Sequence, residues 1–192
     1  MPVQKAGAGT FEVVIKGIGG HAAAGIGMGV VDPTPAAAAA VTALQSVVAR
    51  EVAPTDQAVV SVTKIHGGDA YNVIPAEVTI GGTLRAFSRK TYDLIERRTK
   101  EIVQQTAAAY GCQAELHFTS FDASCLSTTG LPAEFASGCT YPPVINDDDM
   151  YTLARGAALE LVGAHAVHAA TATMGGEDFA YFAEKVCPLS CH

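Results

Sequence analysis

Several short stretches of this sequence carry side chains whose types and spacing suit chemistry. His21 follows the Gly17-Ile18-Gly19-Gly20 turn, directly after a strand-like run. An imidazole held there can serve as a hydrogen-bond donor or a general acid and base, or it can be a surface histidine beside a structural turn. Asn72 stands in a long connection just before Val73-Ile74-Pro75. Its amide can fix the turn through its own backbone or offer a donor and an acceptor to a ligand. Arg85 lies on the polar side of a strand, where a planar guanidinium can clamp a carboxylate or simply keep an open sheet solvated. Gly175 and Gly176 precede Glu177 and Asp178. The glycines let a ligand approach the backbone, and the acids either bind a metal or cap the following helix.

Other groups carry less. The Asp147-Asp148-Asp149 run reads most simply as a helix N-terminus. Cys187, Cys191 and His192 look like a metal tail, but no second Cys/His pair lies at zinc-site spacing. His165 and His168 stand alone. No His-Glu-x-x-His, Gly-x-Ser-x-Gly, P-loop or complete dinucleotide fingerprint occurs. Taken residue by residue, helix capping is the simpler reading of these acids, and no complete metal-site motif occurs.

The elements that must position these groups follow from pattern. Phe11, Val13 and Ile15 alternate with Glu12 and Lys16, the period of a strand with one wet face. Gly17, Gly19 and Gly20 break it, and a loop is expected as far as Asp32. Asp32-Pro33 then reads as an N-cap with proline at the first helical position, opening a helix to about Arg50. Residues 58–65 are β-branched and strand-like. Residues 66–75 form a glycine-bearing connection. Residues 77–87 make the clearest strand, with Val78, Ile80, Leu84 and Ala86 on one face and Glu77, Thr79, Thr83 and Arg85 on the other. Ser88 can cap a second helix whose apolar stripe is Leu94, Ile95, Ile102, Val103 and Ala107, with Glu96 and Lys100 as an i,i+4 pair. Gly111 ends it. Ala114, Leu116 and Phe118 alternate in a fourth strand.

That order, β-α-β-β-α-β over residues 9–119, predicts a ferredoxin-like α+β sandwich. Right-handed crossovers put both helices on one sheet face, leaving the face with Arg85 wet or open to a partner. Residues 120–140 lack a period and read as an irregular insertion. From 141 onward a helix opens at Asp147 and runs to Gly163, a short strand is expected over 166–172, and a strand-to-helix turn spans Met174 to Phe179. One or two helices and a short strand cannot bury a sizeable core, so residues 141–192 read as an incomplete piece of a further α/β domain.

Composition narrows the class. The chain has 192 residues, 49% hydrophobic and 16% charged, which is the make-up of a folded protein. Its formal net charge is −7, and no cluster of cations exceeds Arg97-Arg98, so a nucleic-acid partner is not expected. The alanine-rich stretch 36–49 falls short of the roughly 20 apolar residues a bilayer requires. Residues 1–5 lack the apolar core of a secretory signal, and the compartment stays open. Five cysteines, an odd number without framework spacing, read as reduced thiols.

The stretches Gly17-Ile18-Gly19-Gly20-His21-Ala22-Ala23, Val31-Asp32-Pro33, Leu44-Gln45, Arg50-Glu51, Gly67-Gly68-Asp69-Ala70-Tyr71-Asn72-Val73-Ile74-Pro75, Gly82-Thr83-Leu84-Arg85 and Met174-Gly175-Gly176-Glu177-Asp178-Phe179-Ala180 recur in an order that resembles the binuclear-metal amidohydrolases of the aminoacylase and carboxypeptidase family. Their likeness is strongest to the branch that hydrolyses indole-3-acetic acid–amino acid conjugates and hippurate. The resemblance implies a ferredoxin-like lid, or dimerisation, domain at 9–119, followed by part of a metal-bearing catalytic domain. It implies cleavage of the amide of N-acyl amino acids with a zinc or manganese centre. The Cys/His/Glu ligands of that centre have no counterpart in this chain, so no residue is expected to be a metal ligand and the chain alone is expected to be inactive. His21 corresponds to a lid histidine that reaches the opposite subunit's site and donates to the oxyanion. Asn72, Arg85, Gly175 and Gly176 correspond to substrate-binding positions, Arg85 holding the carboxylate. A homodimer formed through the lid is expected, with neither membrane nor nucleic acid as partner. The competing expectation is a non-enzymatic dimerisation or small-molecule-binding module of ferredoxin-like fold.

Overall fold

A computed structural model describes residues 5–23, 28–119 and 141–186. The irregular insertion expected over 120–140, together with Cys125, Cys139, Cys187, Cys191 and His192, lies outside the described residues. In chain order the elements are β1 (Gly7–Lys16), β2 (Gly20–His21), α1 (Pro33–Ser46), β3 (Ala58–His66), β4 (Val73–Ile74), β5 (Glu77–Ala86), α2 (Arg89–Ala109), β6 (Gln113–Phe118), α3 (Asp148–Val162) and α4 (Phe179–Val186). The main sheet has the order β3-β5-β1-β6 with every neighbouring pair antiparallel. Setting aside the two-residue strands, this is the split βαβ sandwich that the alternation pattern predicts.

Phe11, Val13 and Ile15 of β1 and Val78, Ile80, Leu84 and Ala86 of β5 are buried on one face. Both helices cover that face. α1 lays down Ala36, Ala37, Ala40 and Leu44, and α2 lays down Tyr92, Ile95, Val103 and Ala107. The caps are as expected. The Asp32 carboxylate accepts from the Thr34 amide at 2.8 Å, and Ser88 Oγ accepts from the Thr91 amide at 3.1 Å. Gly82 faces the core between Ile80 and Leu84. A Cβ there would lie 2.0 Å from the Ser61 carbonyl oxygen and 2.7 Å from the Phe11 ring, so this close approach requires glycine.

Some sequence-based expectations need correction. β1 starts at Gly7 rather than near Phe11. Residues 7–10 have weak strand propensity, but β5 pairs with all of them on one side and Tyr141 exchanges backbone bonds with Ala8 on the other, at 2.8 and 2.7 Å. The segment between β1 and α1 is not loop throughout, because Gly20–His21 pairs with Val73–Ile74 as β2 and β4. α1 proper ends at Ser46, and Val47–Glu51 form a wider π turn rather than more α-helix. On α2, Leu94 and Ile102 are only part-buried, and Thr91, Tyr92 and Thr99 take buried positions. No strand forms over 166–172. Pairing is confined to Thr173, which bridges to Lys5.

The last described segment closes over one end of the sheet. Lys5 is bridged by Val144 and by Thr173, and Ala6 donates to the Thr173 carbonyl at 3.1 Å. α3 is capped by Asp147 and ends at Gly163, where φ is 78°, but it buries none of its own residues. α4 buries Ala180 and Tyr181. The polar face of the sheet, expected to be wet or open to a partner, is therefore covered beside Ala8 and stays exposed at Glu12, Lys16 and His117.

Candidate functional site

Arg85 sits near the C-terminal end of β5, paired with Ala8. Its side chain is part-buried and Nη1 donates to the Met174 carbonyl at 3.1 Å. This is neither a free surface cation nor an unattached clamp. One N–H is used to hold the Met174-Gly175-Gly176 turn, and the rest of the guanidinium fork is left to meet an anion. At Gly176 a Cβ would meet Ala8 Cβ at 2.9 Å and the Tyr141 ring at 3.0 Å. At Gly175 a Cβ would meet only Thr173 Oγ1, at 3.7 Å. The turn is thus packed tightly on the sheet at Gly176 and open to a ligand at Gly175. The Tyr141 ring stands 6.5 Å from that of Tyr181, tilted by 58°, and Lys5 pairs with Glu177 to anchor the same turn.

His21 and Asn72 meet elsewhere. β2 and β4 form a short antiparallel pair in which His21 lies opposite Val73, and the Ala22 amide donates to the Asn72 carbonyl at 2.9 Å. The Ala23 amide donates to His21 Nδ1 at 3.2 Å. With Nδ1 accepting, the neutral ring carries its proton on Nε2, which is then a donor to whatever lies beyond the hairpin. Both residues are exposed.

Within one chain these two groups are far apart. Arg85 pairs with Ala8, whereas Glu77, at the start of β5, pairs with Lys16. The hairpin lies beyond that second end, so the eight residues from Glu77 to Arg85 set a separation of about 27 Å. Arg85, Gly175 and Gly176 are brought together, as are His21 and Asn72, but the structure does not bring the two groups into one cleft. A cavity of about 540 Å³ lies between Arg89, Pro143, Asp149, Ala183 and Glu184, and none of the five predicted site residues lines it. Among the described residues no group of three or more His, Cys, Asp or Glu side chains gathers to hold a metal ion.

Two features were missed by sequence reasoning. Tyr141 supports Gly176 from a segment far along the chain, and only the pairing of 141 with Ala8 makes it a neighbour. α1, which carries no charged residue, shows Thr34, Ala38, Thr42 and Gln45 to solvent and packs on β5, β1 and β3. Among the described residues β3 pairs only with β5 and so is an edge strand, with Ala58 at the Arg85 end and His66 at the His21 end. The absence of Lys and Glu along α1 was legible in the sequence and could have marked that side.

Residues 3–111 match the family model described as the peptidase dimerisation domain. The chain is 41% identical over 181 residues to the IAA-amino acid hydrolase ILR1-like 2 of Arabidopsis thaliana, a match covering 94% of this chain and 37% of that protein. It is 35% identical over 176 residues to an N-acetylcysteine deacetylase of Bacillus subtilis, covering 92% of this chain and 40% of that protein. Among solved structures, the Bacillus subtilis YXEP protein, described as a dinuclear metal binding peptidase from the M20 family, superposes with a TM-score of 0.65 at 31% identity. That match covers 96% of this chain and 39% of the other. The chain therefore spans well under half the length of these relatives.

Proposed function

Since the chain belongs to the M20 peptidase dimerisation-domain family, we propose that it supplies the lid and the pairing surface of an amidohydrolase acting on N-acyl amino acids. The observation that carries this reading is the division of the site residues between opposite ends of one sheet. A second copy repairs the division. If β3 of one copy pairs antiparallel with β3 of another about a two-fold axis, the His66 end of each lies beside the Ala58 end of its partner. His21 and Asn72 of one copy then approach Arg85, Gly175 and Gly176 of the other. The uncharged face of α1 lies along the same side and can be buried without stranding a charge.

In the completed site Arg85 holds the substrate carboxylate, with its fork aimed by the Met174 carbonyl. The open backbone at Gly175 lies against the amino-acid half of the substrate. From the second copy, His21 Nε2–H donates to the scissile carbonyl oxygen and strengthens that bond as negative charge develops there. Asn72 orients the same amide. One similar structure is described as a dinuclear metal binding peptidase, yet among the described residues no group of His, Cys, Asp or Glu gathers that fits such a centre. On this reading the purified chain binds N-acyl amino acids without hydrolysing them.

Sedimentation combined with titration of N-benzoylglycine tests the proposal. The chain is expected to be a dimer at micromolar concentration. Thr42→Arg, on the uncharged face of α1, is expected to give a monomer with unchanged circular dichroism and no ligand binding. A wild-type chain that stays monomeric yet binds the ligand would contradict it.

A further inference from the structure

We propose that Tyr141 is a positioning residue for the anion-binding fork of Arg85; this rests on the reading of Arg85 as the carboxylate anchor given above. An arginine side chain is long and rotatable, so two parallel bonds to a planar anion require its fork to be held in place. The Met174 carbonyl holds it, accepting from Nη1 at 3.1 Å. Whatever fixes Met174 therefore aims Arg85.

Three residues stand side by side across this end of the sheet. Ala8 pairs with Arg85 on one side and exchanges backbone bonds with Tyr141 on the other, at 2.8 and 2.7 Å. Directly paired residues point to one face, so Arg85 and Tyr141 flank the Ala8 methyl two strand spacings apart, about 10 Å. That makes a trough one backbone segment wide, and the Met174-Gly175-Gly176 turn lies in it. A Cβ at Gly176 would stand 2.9 Å from the Ala8 Cβ, which is the floor, and 3.0 Å from the Tyr141 ring, which is one wall. Arg85 is the other wall. The Tyr141 ring is backed by the ring of Tyr181, 6.5 Å away and buried in α4.

The turn is tied to the chain on both sides of the trough. Ala6 donates to the Thr173 carbonyl at 3.1 Å before it, and Lys5 pairs with Glu177 after it. Between those ties its place is set by packing on Ala8 and Tyr141 and by the bond from Arg85. A smaller side chain at 141 opens space on that side. The turn can then move off Arg85 and carry the Met174 carbonyl with it.

Calorimetric titration of the dimer with N-benzoylglycine and with its uncharged amide, N-benzoylglycinamide, tests this. Tyr141→Leu is expected to bind N-benzoylglycine about tenfold more weakly, the scale of one misaligned charge-assisted hydrogen bond, and to bind the amide as wild type does. Tyr141→Phe is expected to restore the preference for the carboxylate, since the ring makes the contact with the turn. Ala8→Val, which raises the floor with Tyr141 in place, is expected to give the same selective loss, and it carries the test if Tyr141→Leu does not fold. Equal weakening of both ligands in a folded variant, or no change in either, would overturn the assignment and leave Tyr141 a packing residue. Failure of the underlying reading shows separately, as a wild-type dimer that binds neither ligand or as Arg85→Ala leaving N-benzoylglycine binding intact, and either result removes the inference with it.

Discussion

Glu101 shows how single residues on α2 set the chain's response to acid. Arg97 donates to its carboxylate at 2.9 Å and Arg98 donates to its other oxygen, and these bonds hold its pKa below the ordinary carboxylate value. Glu96, five residues earlier, is shifted the other way, by burial first and by Asp93 second. The two therefore contribute with opposite sign. A depressed carboxylate favours the fold above its unfolded pKa, and the gain disappears as pH falls through the folded value. A raised carboxylate disfavours the fold at neutral pH and stops doing so once protonated. Glu101→Gln is expected to lower the melting temperature at pH 7, and the difference is expected to shrink as pH falls through the depressed folded pKa. Glu96→Gln is expected to raise it slightly at pH 7 and to converge likewise. Melting curves from pH 7 into the acid range read both signs directly.

At the scale of elements, two glycines separate what holds the sheet from what holds the site. Gly82 packs against backbone, the Ser61 carbonyl of the neighbouring strand, which cannot yield without breaking the β3–β5 ladder. Gly176 packs against the Ala8 methyl and the Tyr141 ring, and the turn that carries it can shift away without breaking the main sheet. Gly82→Ala is expected to cost about 3 kcal/mol in urea unfolding and Gly176→Ala about 1 kcal/mol, on the scale of overpacking in a filled core. Gly176→Ala should instead weaken N-benzoylglycine binding, because it shifts the turn that aims Arg85. The same contrast explains what could be read in advance. The period-two runs of β1, β5 and β6, the caps Asp32 and Ser88, and the stop at Gly111 each carry a local signal, and their order implied the sandwich. Gly7 to Thr10 and the β2–β4 pair carry none. They become strands because distant partners are brought alongside, a tertiary effect that glycine and alanine do not advertise. The π turn at Val47–Glu51 is likewise a long-range matter, tied to α2 by the pairing of Arg98 with Glu51.

For the whole molecule the question is where the site is completed. The residue types at His21, Asn72, Arg85, Gly175 and Gly176 were legible as chemistry, but their grouping was not. Only the register of β1 with β5 shows that they fall into two sets at opposite ends of the sheet. The proposal that a second copy joins those sets makes a strict prediction about mixtures. In dimers of His21→Ala/Asn72→Ala chains every site lacks the hairpin donors, and in dimers of Arg85→Ala chains every site lacks the carboxylate anchor. A mixed dimer of the two has one site built from the Arg85 of the first chain and the His21 and Asn72 of the second. Titration of N-benzoylglycine into an equimolar mixture, after exchange of subunits, is expected to recover wild-type affinity at one site in each mixed dimer. If both variants sediment as dimers and exchange subunits while the mixture binds no better than either alone, the site does not form between two copies.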